Sequence, residues 1–155
     1  MNVNEKGQIG LIETIRDLTK KGYECFLPMH DYSPIDLIVT DTNFNTYKIQ
    51  VKYRTEFRNH IEVGLHSVVN GKRIPVDLLA IDGWAIYCPE VDTVVYINKK
   101  EVDTTKRSLT FRLTEGSNTL GKNQQKRKLY SDFTNGWLSS VDDIASGQGG
   151  NAVDC

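Results

Sequence analysis

The sequence predicts a single α/β domain built around one β-sheet. Three observations carry that prediction: an amphipathic stretch at the N-terminus, a series of short β-favouring runs after it, and turn signals between them. At 155 residues the chain suffices for one domain with a real core and is too short for two of typical size. Its 39% hydrophobic and 25% charged residues sit near the globular norm. The domain is expected over residues 1–141. Residues 142–155, "DDIASGQGGNAVDC", offer little to bury and read as a flexible tail.

The elements follow in order. Residues 4–21 place Ile9, Ile12, Ile15 and Leu18 about three apart, with Leu11 beside them, which predicts an amphipathic helix stopped by Gly22. "YECFLP" reads as a short strand closed by Pro28, and "HDYSP" as a turn. Residues 35–41 and 46–53 are β-favouring runs joined by "TNFN", which predicts an antiparallel hairpin. Its odd positions, Leu37, Val39, Tyr47, Ile49, Val51 and Tyr53, are apolar or aromatic and face the core. The even positions, among them Asp36, Thr40, Lys48, Gln50 and Lys52, are expected on a solvated face. In "HSVVNGKRIP", Asn70-Gly71 is a strong hairpin signal, with Lys72 and Arg73 just past the tip. "WAIYCP", "DTVVYIN" and "SLTFRL" predict three more strands, with "NKKEV" as a helical turn between the last two.

Charge is unevenly spread. The net charge is only -1, yet residues 99–128 hold nine Lys or Arg against three acids, and residues 48–73 hold six against two. Two basic tracts on a near-neutral chain suit a polyanion-binding face, because each phosphate contact releases counterions; a merely solvated surface is the ordinary alternative. The N-terminus lacks a basic patch followed by an apolar run, and nothing approaches the roughly 18 apolar residues of a membrane span. A cytoplasmic protein that binds no membrane is expected. Cys25, Cys88 and Cys155 lack metal-ligand spacing, and His30, His60 and His66 are too scattered for a metal triad.

The hairpin carries the chemistry. If even positions pair with even, Asp36 lies on the side of Gln50 and Lys52, so a carboxylate, an amide and an ammonium converge. Taken singly, Asp36 could cap the turn after Pro34, and Gln50 and Lys52 could simply face water. On one face beside basic tracts, they favour a site. The order helix, strand, Ile35-Asp36, then Ile49-Gln50-Val51-Lys52 thirteen residues on resembles the PD-(D/E)xK nuclease core in its Q-x-K variant. The runs "LPMHDYSPIDLIVTD" and "GWAIYCPEVDTVVYINKKEV" resemble the branch that contains intron-encoded homing endonucleases, so the likeness spans about residues 4–133.

The resemblance implies a mixed sheet flanked by helices, an added hairpin for DNA contact, and metal-dependent phosphodiester hydrolysis. Asp36, Gln50, Lys52 and Glu13 are the catalytic candidates. Asp36, the Val51 carbonyl and the weaker neutral amide of Gln50 would hold Mg2+ or Mn2+, both of which accept oxygen ligands. Lys52 would stabilise charge developing on the phosphate. The family often adds a carboxylate from the first helix, and its place falls at Leu11; Glu13, the nearest acid, lies about 200° around the helix.

Double-stranded DNA is the expected partner. Arg73 on the hairpin could read guanine, while Arg54, Arg58, His60, Lys72, Lys122, Lys126, Arg127 and Lys128 would mostly meet phosphates. A charged strand edge that blocks aggregation is the other reading of the hairpin. A long target would require a homo-oligomer, a dimer or tetramer. Three functions stay open: a site-specific homing endonuclease, a structure-selective nuclease of the Holliday-junction resolvase type, and a non-catalytic DNA-binding module.

Overall fold

A computed structural model describes residues 1–30, 33–69, 71–75, 78–103 and 105–113. The first helix, α1, runs Val3–Lys20, one residue N-terminal to the predicted span at each end. Asn2 starts it with a capping box: its Oδ1 accepts from the Glu5 N–H (2.9 Å), and Glu5 Oε2 accepts from the Asn2 N–H (2.8 Å). Gly22 follows at φ 86°, a backbone that glycine adopts without strain.

Among the described residues nine strands come next: β1 (Glu24–Phe26), β2 (Leu37–Thr40), β3 (Thr46–Tyr53), β4 (His60–Gly64), β5 (His66–Val69), β6 (Lys72–Pro75), β7 (Gly83–Cys88), β8 (Thr93–Asn98) and β9 (Ser108–Arg112). Five form the central sheet in the order β1-β2-β3-β7-β8. Only β3 and β7 run parallel, so the sheet is mixed, as the sequence led us to expect. The expected hairpin at Gly71 forms as β5–β6, with Val69 opposite Lys72. The turn after β8 is a short helical one, Lys99–Glu101, also with a capping box.

Two cores sandwich the central sheet. On one face α1 contributes Leu18 against Leu37, Val39, Ile49, Ala85, Val94 and Tyr96. Gly10 lets the helix sit close, since a Cβ there would lie 3.4 Å from Tyr53 Cβ and 3.6 Å from Val51 Cγ1. On the other face Trp84, Ile86, Val95 and Ile97 pack on Ile61, Val63 and Leu65 from β4 and its neighbouring turn, and on Phe111 from β9.

Among the described residues α1 packs on one face of the sheet, and the second face is covered by the two-stranded sheet β4–β9. "SLTFRL" therefore leaves the central sheet and pairs with a strand more than forty residues earlier. One expectation needs correction: the even face of β3 is solvated only at its start, where Thr46 and Lys48 are exposed, and not at Gln50 and Lys52. Gln50 is 5% exposed, because β7 beside it is buried on both sides and puts Trp84 and Ile86 next to Gln50 and Lys52. No helix among the described residues is long and apolar enough to cross a membrane. The tail at 142–155 lies outside the described residues.

Candidate active site

The β2–β3 register decides whether the three polar groups meet. Leu37 pairs with Ile49, and the Asp36 N–H donates to the Ile49 carbonyl (3.0 Å), which extends the ladder to place Asp36 opposite Gln50. Even positions do face even ones. Asp36 Oδ2 accepts from the Val51 N–H at 2.8 Å, a bond that orients the carboxylate across the strand. Its Oδ1 has no hydrogen-bond donor among the described residues.

Burial shapes the electrostatics. It pushes the Asp36 carboxyl above its ordinary value, against the Val51 N–H and the Lys52 charge, both of which favour the ionised form. Burial likewise pushes the Lys52 ammonium below its ordinary value, helped by the Arg54 charge and opposed by Asp36. Among the described residues no ion pair ties Lys52 to Asp36. The two charges share a half-buried site without neutralising each other by contact.

Gln50 supplies the most informative atom. Its Oε1 is buried and has no hydrogen-bond partner among the described residues. Such a carbonyl costs about 1–3 kcal/mol unless something satisfies it. Two oxygen acceptors of the kind that hard cations prefer, the Asp36 carboxylate and Gln50 Oε1, thus stand on adjacent strands, the amide oxygen without a donor among the described residues. These residues fit a divalent cation. No group of three His, Cys, Asp or Glu converges among the described residues, so the site is not a carboxylate-rich one.

The other candidates are placed as follows. Glu13 is not brought to this cluster: it pairs with Arg16 at 3.0 Å and lines a groove with Asp17, Lys20, Tyr87 and Asp92. Its position on α1 turns it toward the C-terminal end of β7 instead. Arg54 lies just past the end of β3, two residues beyond Lys52, and its guanidinium donates to the Tyr53 carbonyl at 2.8 Å. Arg58 is exposed on the loop before β4, and His60 Nδ1 donates to its carbonyl at 2.6 Å. Lys72 is exposed on β6, and Arg73 is opposite Val68 on that hairpin. Lys122, Lys126, Arg127 and Lys128 lie outside the described residues.

Sequence reasoning passed over Trp84 and Arg112. Trp84 pairs in register with Gln50, is fully buried, and carries an indole N–H without an acceptor among the described residues. Only the parallel β3–β7 register reveals that proximity. Arg112 is opposite His60, and its Nε is buried without a partner among the described residues.

Known proteins show the family and the fold. The PD-(D/E)XK endonuclease family matches residues 1–133. Among solved structures the fold is similar to that of a bacterial homing endonuclease, I-Ssp6803I, with a TM-score of 0.67 at 17% identity, covering 97% of this chain and 100% of that one. A comparison with curated proteins gives no match. Members of this family cut DNA with the help of divalent metal ions. With the match covering most of its length, the chain belongs to the PD-(D/E)XK endonuclease family and is a DNA endonuclease.

Proposed function

We propose that the protein is a magnesium-dependent, site-specific, double-strand DNA endonuclease of the homing type. The unpartnered Oε1 of Gln50 carries this reading, because it stands opposite Asp36 where a cation would satisfy it. The fold shared with a bacterial homing endonuclease supports the homing role.

Each residue has a part. Asp36, Gln50 and the Val51 carbonyl would hold the ion, which when bound would supply positive charge at the phosphate and acidify a water. Asp36 keeps its orientation through the Val51 N–H. Lys52 directs its ammonium to the phosphate oxygens and stabilises the negative charge that grows there during attack. Its half-burial strengthens that interaction, since less water screens it. A neutral amide where relatives carry an acid removes one negative charge, so metal binding is weaker than in an acid-x-Lys enzyme. A homo-oligomer, dimer or tetramer, would extend the contacted DNA.

Plasmid DNA incubated with magnesium or with EDTA tests the proposal. Wild type linearises the plasmid only with magnesium, while Asp36→Asn and Lys52→Met do not cut. Selective cleavage of four-way junctions would replace the homing reading with a resolvase-like one. Salt-sensitive binding without cutting at any magnesium concentration would favour a binding module.

A further inference from the structure

The loop leaving β3 displays groups that the catalytic constellation does not use. The Phe57 N–H donates to the His60 carbonyl (2.8 Å), and the His60 N–H returns to the Phe57 carbonyl (3.0 Å), closing a tight turn. Its central residues, Arg58 and Asn59, have φ of 50° and 63°. Two consecutive left-handed residues without a glycine are strained where Asn-Gly would be relaxed. The surroundings hold the turn nonetheless. Asn59 N–H donates to Glu56 Oε1 (2.6 Å), Leu113 N–H to the Asn59 carbonyl (3.2 Å), and Arg54 N–H to the Tyr87 carbonyl (2.9 Å). The loop is therefore pinned at both ends, to the central sheet and to the segment after β9.

What the pinned turn shows to solvent is a phenyl ring. Phe57 is 70% exposed, with the Arg58 guanidinium 5.1 Å from the ring centroid. Exposing a side chain of that size forfeits about 1.5–3 kcal/mol of burial. Phe44 is also exposed, but it sits at the far end of the β2–β3 hairpin, where its N–H bonds the Asp41 carbonyl. Cations accompany Phe57 instead: Arg54 and Arg58 on its own loop, and Arg112 opposite His60 at the foot of the turn. The acids of this region are engaged, Glu56 by the Asn59 N–H and Glu90 by the Cys88 thiol at 3.1 Å.

We propose that the Phe57–Arg58 turn is a DNA wedge, with Phe57 inserting between neighbouring base pairs of the duplex and Arg58 taking a flanking phosphate. Phe57 follows Lys52 by five residues, so it reaches at most about 17 Å from it. At about 3.4 Å per step, the insertion falls within about five base pairs of the cut phosphate. Unstacking one step costs a few kcal/mol, offset by burial of the ring and by the added contacts of a bent duplex. The strain held in the turn fixes the ring before DNA arrives, so little ordering entropy is lost on insertion. This inference rests on the chain acting on duplex DNA, and not on where it cuts.

Relaxed closed-circular plasmid, EDTA and a metal-independent type I topoisomerase provide the test. Wild type, bound without metal, leaves the plasmid with a reduced linking number in proportion to the protein bound. Phe57→Ala binds about tenfold more weakly, the loss of one stacked contact, and at matched occupancy produces no shift. Phe57→Leu keeps an apolar wedge and restores most of the shift. Both variants melt with wild type, because the ring is outside the two cores. Asp36→Asn keeps the full shift while cutting nothing, so a failure of cleavage and a failure of the wedge are read separately. The proposal is overturned if wild type occupies the plasmid without changing its linking number, if it does not bind plasmid, or if Phe57→Ala shifts it as wild type does.

Discussion

Gln50→Met should make the metal-free protein more stable while abolishing its activity. In the native chain the Gln50 side chain is 5% exposed and its Oε1 has no hydrogen-bond donor among the described residues. An orphaned buried carbonyl costs about 1–3 kcal/mol, and an apolar group of the same shape removes that cost. Methionine has nearly the same length and no branch at Cβ, so it fits beside Trp84 with little repacking. A net gain of about 1 kcal/mol raises the melting midpoint by about 2–4 °C in a chain of this size. Calorimetric melts in EDTA read this directly. With magnesium at about a hundred times its Kd, wild type gains about 2.7 kcal/mol, whereas the variant lacks a ligand and gains less. The order of the two midpoints then reverses. A variant that melts below wild type in EDTA, or that keeps the full magnesium shift, would refute the assignment of Oε1 as an unsatisfied metal ligand.

Other consequences are equally measurable. Because burial raises the Asp36 pKa above 3.8, its ionisation disfavours the fold. Below 3.8 the carboxyl is neutral in both states, so Asp36→Asn and wild type have similar stability in EDTA; as pH rises through the raised value the variant becomes the more stable. Denaturant titrations between pH 3 and 7 would show that gap open, and a gap that narrows with rising pH would contradict it. Glu13→Gln should leave cleavage within about twofold, since Glu13 pairs with Arg16 away from Asp36; a loss of about a hundredfold would place that carboxylate in the catalytic site. Gly7→Ala, with nothing within 4 Å of the new methyl, should add about 0.5–1 kcal/mol, whereas Gly10→Val should cost about 1–3 kcal/mol by pushing α1 off Val51 and Tyr53. Thermal melts of the two variants check both signs.

The local signals in the sequence were the dependable ones. The spacing of Ile9, Ile12, Ile15 and Leu18 spells out the helix, and the alternation from Leu37 to Tyr53 puts Asp36 on the side of Gln50 and Lys52. Gly71 likewise marks the β5–β6 turn. What stayed hidden was non-local. Burial of Gln50 follows from the parallel β3–β7 pairing, which places Trp84 beside it across more than thirty residues and leaves no periodic trace in either strand. The partnership of β4 with β9 was invisible for the same reason, and with it the identity of the layer covering Ile86 and Ile97. Glu13 shows the opposite limit: its helical phase was legible, but only the packing of α1 tells that it faces Tyr87 and Asp92. Phe57 gave no signal in the sequence, because the left-handed turn that throws it outward has no glycine to announce it.

The decisive measurement is a calorimetric titration of Mn2+ into the metal-free protein at neutral pH, since manganese accepts the same oxygen ligands as magnesium. One ion per chain binds wild type, and Asp36→Asn abolishes that binding while its midpoint in EDTA stays at or above wild type. Equal stoichiometry and affinity in the two proteins would show that the cation is held elsewhere and that the constellation of Asp36, Gln50 and Val51 is not the metal site.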